Sequence, residues 1–413
     1  MVNFFAKVAD FVWNAVLLYL VKISKIMNVN SSSELHFSSL CVHAGELNDT
    51  QFKGAISPLF MATSYAYEEV EVKRYPRYFN TPNQVALAQK MAALEQKEAA
   101  MLFGSGMGAV ANALLSFLKS GDHVVFQKQL YGGTYHFVVE TLPRMNIRYS
   151  FAAEDTPEAL EACVQENTKV IYIETPSNPK MTLVDIQAVA NIAKKHKLIS
   201  MIDNTFASPV NQNPHELGID LIIHSATKYL GGHSDILAGV VMASKEHIQQ
   251  MFVTGINLGA NLSDYTVWLL ERSVKTLHVR VKQQNKNAKK LANRLHENPL
   301  VASVYYPGLK SHPQYELAKK QMKGFGGMLS FELSDEVDTD VFLKKLQIIK
   351  PSMSLAGVES TILSPAKTSH SLLSKEERMS QGITDQLLRF SVGIERADDL
   401  WFDLHQAMEA AKK

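Results

Sequence analysis

The chain has 413 residues, 46% of them hydrophobic, which is enough apolar material for two or more domains with substantial cores and excludes a disordered protein. Lys and Arg number 42 against 41 Asp and Glu, for a net charge of +1, so no charge imbalance points to nucleic acid or an anionic membrane. The two cysteines, Cys41 and Cys163, are far apart and outside any C-x-x-C pattern, which argues against a disulfide scaffold or a zinc site and for a reducing, cytoplasmic compartment.

Residues 1–26 contain an apolar run, Phe11 to Val21, preceded by Lys7 and followed by Lys22. A spanning helix needs about 20 apolar residues, so the run is too short. Asp10 and the lack of a small-residue cleavage pattern argue against a secretory signal. Lys7, Asp10 and Asn14 share one helical face, with Phe4, Val8, Phe11, Val12 and Ala15 opposite, which predicts an amphipathic helix in an N-terminal extension. No stable membrane association is expected of it. Residues 27–80 read as an extended arm, with strand and turn character in Gly54–Tyr65.

From 81 to 279, strands alternate with helices. Predicted strands are Ala99–Phe103, His123–Phe126, the run from Lys169 to Glu174, the run from Leu198 to Asp203, and Leu221–Ile223; Ala109–Leu118 and the stretch holding Ile186, Val189, Ala190, Ile192 and Ala193 read as helices. This alternation predicts an α/β fold with a mainly parallel sheet covered on both faces. Residues 280–413 open on a long basic helix, Gln283–Leu295, and continue as a smaller α+β C-terminal domain.

The strand Leu221–Ile223 delivers Ser225-Ala-Thr-Lys-Tyr-Leu-Gly-Gly232. A lysine following a buried strand can be desolvated enough to present a free amine near neutral pH, as an amine that holds a carbonyl cofactor must be. Ser225 and Thr227 supply short hydroxyls for a phosphate beside Lys228. Upstream, Phe103-Gly-Ser-Gly-Met-Gly108 is a glycine-rich turn opening a helix, an anion site by its free N–H groups and dipole. It could also serve a dinucleotide, although its spacing is G-x-G-x-G. Asp203 ends a strand, where a carboxylate can pair with a protonated ring nitrogen or simply cap the strand. Asn178 lies in a loop beyond a strand's carboxyl end, where open α/β sheets bind ligands. Tyr131 can stack on a flat ring or fill core.

Together these segments resemble the Cys/Met metabolism (trans-sulfuration) family of fold-type I pyridoxal-phosphate enzymes, which includes cystathionine γ-synthase, cystathionine γ- and β-lyases, methionine γ-lyase and O-acetylhomoserine sulfhydrylase. The resemblance runs from about Ser39 to the C-terminus. It is carried by Ser-Ala-Thr-Lys-Tyr-Leu-Gly-Gly-His, Tyr-Ile-Glu-Thr-Pro-Ser-Asn-Pro, Tyr-Tyr-Pro-Gly-Leu (Tyr305 to Leu309) and Gly-Ile-Thr-Asp (Gly382 to Asp385). It implies pyridoxal 5'-phosphate as cofactor, a mainly parallel seven-stranded-type sheet with a smaller C-terminal domain, and a homodimer of active sites, usually doubled to a tetramer. Lys228 is then the Schiff-base lysine and proton shuttle, Asp203 the partner of the ring nitrogen, and Tyr131 the stacking tyrosine. Gly106, Met107, Ser225 and Thr227 form the phosphate cradle, and Tyr75 with Arg77 reach the phosphate of the neighbouring subunit. Asn178, Ser354 and Arg389 hold the substrate α-carboxylate, a task that suits the arginine fork.

Three departures bear on how far the resemblance carries, the first on the cross-subunit phosphate contact and the other two on the substrate. The loop after Arg77 is about one residue longer than in many members. Gly133 stands where methionine γ-lyases carry a cysteine. His136 stands where several cystathionine-handling members have an arginine that grips the distal carboxylate. Glu359 matches a glutamate common in γ-synthases and γ-lyases. The expected reaction is γ-elimination or γ-replacement on cystathionine or homoserine esters, with O-acetylhomoserine sulfhydrylase, cystathionine β-lyase and methionine γ-lyase as alternatives. A nicotinamide-binding oxidoreductase is the alternative of another class. No metal site is expected.

Overall fold

The structure is a computed structural model, and it describes residues 35–368, 374–380 and 382–413. The predicted helix within residues 1–26 lies outside the described residues.

Seven strands form the larger sheet: β1 (Ala99–Phe103), β2 (His123–Phe126), β3 (Arg148–Phe151), β4 (Thr168–Glu174), β5 (Ile199–Asp203), β6 (Leu221–Ser225) and β7 (Gly239–Ala243). Their order is β1-β7-β6-β5-β4-β2-β3. From β3 through β6 all neighbours are parallel, and β7 alone runs antiparallel, between β6 and β1. Unbroken apolar runs such as Val170–Ile173 make this arrangement possible, because a parallel strand is buried on both faces. Alternation then sends Val170 and Tyr172 into one core cluster and Ile171 and Ile173 into the other.

Helices cover both faces. On one side lie α1 (Pro82–Leu94) and α3 (Ile186–His196), and on the other α2 (Gly106–Phe117). Each begins where the sequence provides a cap: Thr81 and Gln84 form a reciprocal capping box on α1, Ser105 caps α2, and Asp185 caps α3. In α3 the buried set is Ile186, Val189, Ala190, Ile192 and Ala193, the residues whose spacing predicted a helix.

The long helix α4 (Leu277–His296) starts six residues before the predicted Gln283 and buries Leu277, Val281, Ala288, Leu291, Ala292 and Leu295. It leads to a second sheet of β8 (Val301–Tyr305), β9 (Met328–Leu333), β10 (Lys350–Pro351), β11 (Thr361–Leu363) and β12 (Leu387–Ser391), ordered β10-β11-β12-β9-β8. This smaller sheet and α5 (Ala397–Ala410) enclose a core of their own.

The stretch Gly54–Tyr65 forms no strand. Among the described residues it pairs with no strand of this chain, and a strand needs a partner for its N–H and C=O groups. It is moored by the Ser57 hydroxyl, which donates to Glu271 Oε1 at 2.7 Å, and by the Trp268 indole, which donates to the Ser57 carbonyl at 2.9 Å. Phe52, Ile56, Met61 and Tyr67 of the arm stand exposed. Among the described residues no helix is long and apolar enough to cross a membrane.

Candidate active site

A cavity of about 450 Å³ opens at the carboxyl ends of β4, β5 and β6 and is walled on its far side by Met353–Leu355 and Arg389 of the second sheet region. Ligands of open α/β sheets bind at such strand ends.

Lys228 sits three residues beyond β6, in a turn made by its N–H donating to the Ser225 carbonyl at 3.1 Å and by the Gly232 N–H donating to the Lys228 carbonyl at 2.7 Å. Gly232 has φ +70, and a Cβ there would stand 1.9 Å from the Arg280 guanidinium, so only glycine closes this turn. The Lys228 ammonium donates to Ser354 Oγ at 3.0 Å. Burial and then the nearby Arg389 charge push the Lys228 pKa below the ordinary lysine range, against the pull of Asp203.

Asp203 ends β5. The Thr205 N–H donates to its Oδ1 at 2.9 Å, and the Thr205 hydroxyl oxygen accepts the Ser225 N–H at 2.8 Å, locking the ends of β5 and β6 together. The four residues expected to form a phosphate cradle, Gly106, Met107, Ser225 and Thr227, lie together in the cavity lining. Gly106 and Met107 occupy the first turn of α2, whose leading N–H groups have no partner within the helix. A Cβ on Gly106 would lie 2.7 Å from Ser225 Cβ, so the helix start rests directly on the β6 end. Thr227 is fixed alongside by hydrogen bonds with the Ala238 backbone at 3.1 and 3.2 Å. The positive end of α2 thus stands beside Ser225, with Thr227 in the same cavity wall.

On the opposite wall, Arg389 of β12 is 6% exposed. It donates through Nη1 to Asn178 Oδ1 at 2.9 Å and through Nη2 to the Ser354 carbonyl at 3.0 Å. Burial lowers its pKa to about 10, which leaves it charged at neutral pH. Ser354 holds a left-handed φ of +76, a strained state for a non-glycine residue. Lys228 and Arg389, bonded to its hydroxyl and its carbonyl, hold it there. The Tyr131 ring is half exposed at the mouth, and a Cβ on Gly133 would reach its Cε1 at 2.6 Å. The missing side chain at position 133 is therefore the space that the Tyr131 ring fills.

Lys228, Asp203, Tyr131, Gly106, Met107, Ser225, Thr227, Asn178, Ser354, Arg389 and His136 all line the cavity. His136 is half exposed, with Nδ1 3.3 Å from Glu140 Oε1. Glu359 is not brought in, and Tyr75 and Arg77, expected at a neighbouring subunit's phosphate, are not part of this cavity's lining. Glu359 lies outside the lining, hydrogen-bonded to the Ser234 side chain. Tyr75 and Arg77 are exposed on the arm, where Arg77 donates to the Ile256 carbonyl at 2.6 Å and packs against the Tyr75 and Tyr78 rings. Residues that sequence patterns left unassigned also line the cavity, among them Glu174, Thr205, Leu237 and Met353. Glu174 carried a signal only in its position at the end of a strand; its pairing with Asp203 across β4 and β5 appears only in the sheet register.

The donor set fits pyridoxal 5'-phosphate: an amine for the carbonyl, a buried carboxyl for the ring nitrogen, and a helix start with two hydroxyls for the phosphate. The model of the Cys/Met metabolism PLP-dependent enzymes matches residues 38–409. The chain belongs to that family. This pyridoxal-phosphate-dependent family member is 42% identical over 375 residues to the cystathionine γ-lyase of Bacillus subtilis (strain 168), covering 90% of this chain and 98% of the relative. It is 40% identical over 372 residues to the cystathionine β-lyase of Lactococcus lactis subsp. cremoris (strain MG1363), covering 89% and 97%. Among solved structures, that of cystathionine γ-lyase from Lactobacillus plantarum complexed with L-serine superposes with a TM-score of 0.87 at 35% identity, covering 91% of this chain and 99% of that one. Membership makes the chain a pyridoxal-phosphate enzyme of the trans-sulfuration type, and it leaves the nicotinamide alternative without support.

Proposed function

We propose that this enzyme carries out γ-elimination or γ-replacement on cystathionine or homoserine esters, as a cystathionine γ-lyase or γ-synthase does. One observation carries this: the Lys228 amine is joined through Ser354 to the Arg389–Asn178 pair, so a proton-transfer group stands beside a carboxylate clamp. Arg389 and Asn178 bind the substrate α-carboxylate and orient its Cα hydrogen toward Lys228. The lowered pKa of Lys228 favours the free amine, which removes the Cα proton and then moves protons at Cβ. Bound pyridoxal phosphate supplies the electron sink for charge developing at Cα. Asp203 keeps a compensating charge at the ring end of the cavity, and Tyr131 covers the ring face and helps activate the substrate. The γ-substituent then leaves, and either a thiol adds at Cγ or water completes breakdown to an oxo acid and ammonia.

The same proposal includes a homo-oligomer in which Tyr75 and Arg77 complete the phosphate site of a partner copy. The exposed apolar arm and the distance of both residues from their own cavity support it. A cytoplasmic setting fits two unpaired cysteines, Cys41 and Cys163. His136 is the candidate for the distal carboxylate of cystathionine, and Glu359 for a contact made at the outer rim.

The test assays purified enzyme with cystathionine, O-acyl-homoserines and methionine, in wild type and His136→Ala. Cystathionine turnover with a KM raised by His136→Ala, and an unchanged KM for O-acetylhomoserine, is the expected pattern. Methionine as the preferred substrate would refute the proposal. A second reading, O-acetylhomoserine sulfhydrylase, is favoured by His136 itself, because its pairing with Glu140 weakens any grip on a second carboxylate.

A further inference from the structure

The loop that carries Tyr131 is tied at its start to Asp155, whose Oδ1 accepts the Lys128 and Gln129 N–H groups at 2.8 and 3.3 Å, and at Tyr131 to the end of β4. Glu174, the last residue of β4, accepts the Tyr131 N–H on its Oε2 at 2.7 Å. Its own N–H donates to Gln127 Oε1 at 2.7 Å, and Gln127 Nε2 donates to the Gln129 carbonyl at 2.6 Å, so the run from Gln127 to Tyr131 is laced to β4. The Glu174 residue is 7% exposed and lines the cavity, while its Oε1 has no hydrogen-bond partner. Gly133 borders the Tyr131 ring. The backbone anchor and this gap together define where the ring sits.

We propose that Glu174 is a positioning residue, a neutral carboxylic acid that acts on the reaction through Tyr131 by holding its backbone amide. This rests on Tyr131 being the residue that covers the ring. Glu174 and Asp203 are register partners on adjacent parallel strands, so their carboxyls share one face, and two like charges there oppose each other. Burial raises both pKa values. Asp203 is held down by the Thr205 hydrogen bonds and by the nearby His224 and Lys228 charges, while Glu174 has the Tyr131 amide and the Thr134 hydroxyl and faces the Asp203 and Asp155 charges. With Asp203 read as the charged partner of the ring nitrogen, the opposition of like charges across the β4–β5 register places the proton on Glu174. This division leaves a carbonyl oxygen free to accept the Tyr131 N–H without adding a second charge to the cavity.

Two variants separate the acceptor from the charge. Glu174→Gln keeps an acceptor oxygen and cannot ionise; Glu174→Ala removes both. Hydrogen exchange of the peptide covering residues 128–136, in cofactor-free protein, should match wild type in Glu174→Gln and quicken about tenfold at Tyr131 in Glu174→Ala. In the cofactor-loaded enzyme, kcat should stay within about twofold in Glu174→Gln. It should fall roughly ten- to hundredfold in Glu174→Ala at unchanged cofactor content. Combining Glu174→Ala with Tyr131→Ala, which removes the ring that Glu174 positions, should cost less than the product of the two separate losses, because one residue acts through the other. Unchanged exchange in Glu174→Ala overturns the clamp. Multiplicative losses overturn its route through Tyr131, and a Glu174→Gln as slow as Glu174→Ala overturns the neutral acid. If Tyr131→Phe and Tyr131→Ala both retain wild-type activity, the role of Tyr131 is wrong, and the exchange result then judges the clamp by itself. Glu174→Asp, one methylene shorter, provides the same comparison in a variant that keeps an acid should Glu174→Ala not fold.

Discussion

Replacing Arg389 by lysine keeps a positive charge on β12 and removes the fork. In wild type, Nη1 is spent on Asn178 Oδ1 at 2.9 Å and Nη2 also reaches the Ser354 carbonyl at 3.0 Å, which fixes the guanidinium plane in a position only 6% exposed. The remaining donors are free for a substrate carboxylate. A lysine at 389 has one ammonium to divide among Asn178, Ser354 and that carboxylate. At least one charge-assisted hydrogen bond is lost, worth about 1.5–3 kcal/mol. At about 1.36 kcal/mol per decade, that is a KM increase of roughly ten- to hundredfold. The enzyme should still fill with cofactor, because none of the cradle residues touches Arg389, and the retained charge should leave Lys228 able to titrate as before. Steady-state kinetics with cystathionine and with O-acetylhomoserine, alongside the visible absorbance of the bound cofactor, measures all three. Both substrates carry the α-carboxylate, so both KM values must rise together. A wild-type KM for both substrates in Arg389→Lys would refute the carboxylate clamp, and loss of cofactor would show that Arg389 supports the cradle instead.

Lys228→Ala should abolish turnover, beyond the ~10²–10⁴ typical of losing one proton-transfer group, because the cofactor attachment point vanishes with it; borohydride should label Lys228 in wild type and nothing in the variant. Arg389→Met removes a positive charge that holds the Lys228 pKa down, so attachment of cofactor to Lys228 should require higher pH, read from the midpoint of the visible band against pH. Gly106→Ala places a Cβ 2.7 Å from Ser225 Cβ, and the resulting strain of about 1–3 kcal/mol should weaken cofactor affinity by roughly tenfold or more, measured by equilibrium dialysis. The folded-state pKa of Glu174 is raised above the ordinary 4.5, so above that pH the folded protein keeps a proton that the unfolded chain releases, and stability falls as pH rises. Glu174→Gln lacks this penalty, and its Tm should gain on wild type as pH rises above 4.5.

Much of this molecule is determined by short stretches of chain. The apolar run Val170–Ile173, the helical spacing from Ile186 to Ala193, and the caps Thr81, Ser105 and Asp185 act within a few residues, through backbone hydrogen bonding and side-chain alternation. The same is true of the cofactor site. Ser225, Thr227 and Lys228 follow one strand and Gly106 and Met107 open one helix, so the chemistry of each motif is legible in its own sequence. Tertiary structure decided what two distant segments do together. The contacts of Arg389 with Asn178 and Ser354, on which the proposed clamp rests, form because β12 docks against the Asn178 loop. The pairing of Glu174 with Asp203 depends on the register of β4 against β5, in which a shift of one residue would turn either carboxyl to the other face. Gly54–Tyr65 has strand-forming residues yet pairs with no strand among the described residues, and contacts of Ser57 with the Glu271 and Trp268 side chains moor it instead. Register and docking are sums of many small packing terms over the whole chain, whereas caps and alternation are decided within a turn or two of backbone, and only the latter can be read from a local pattern.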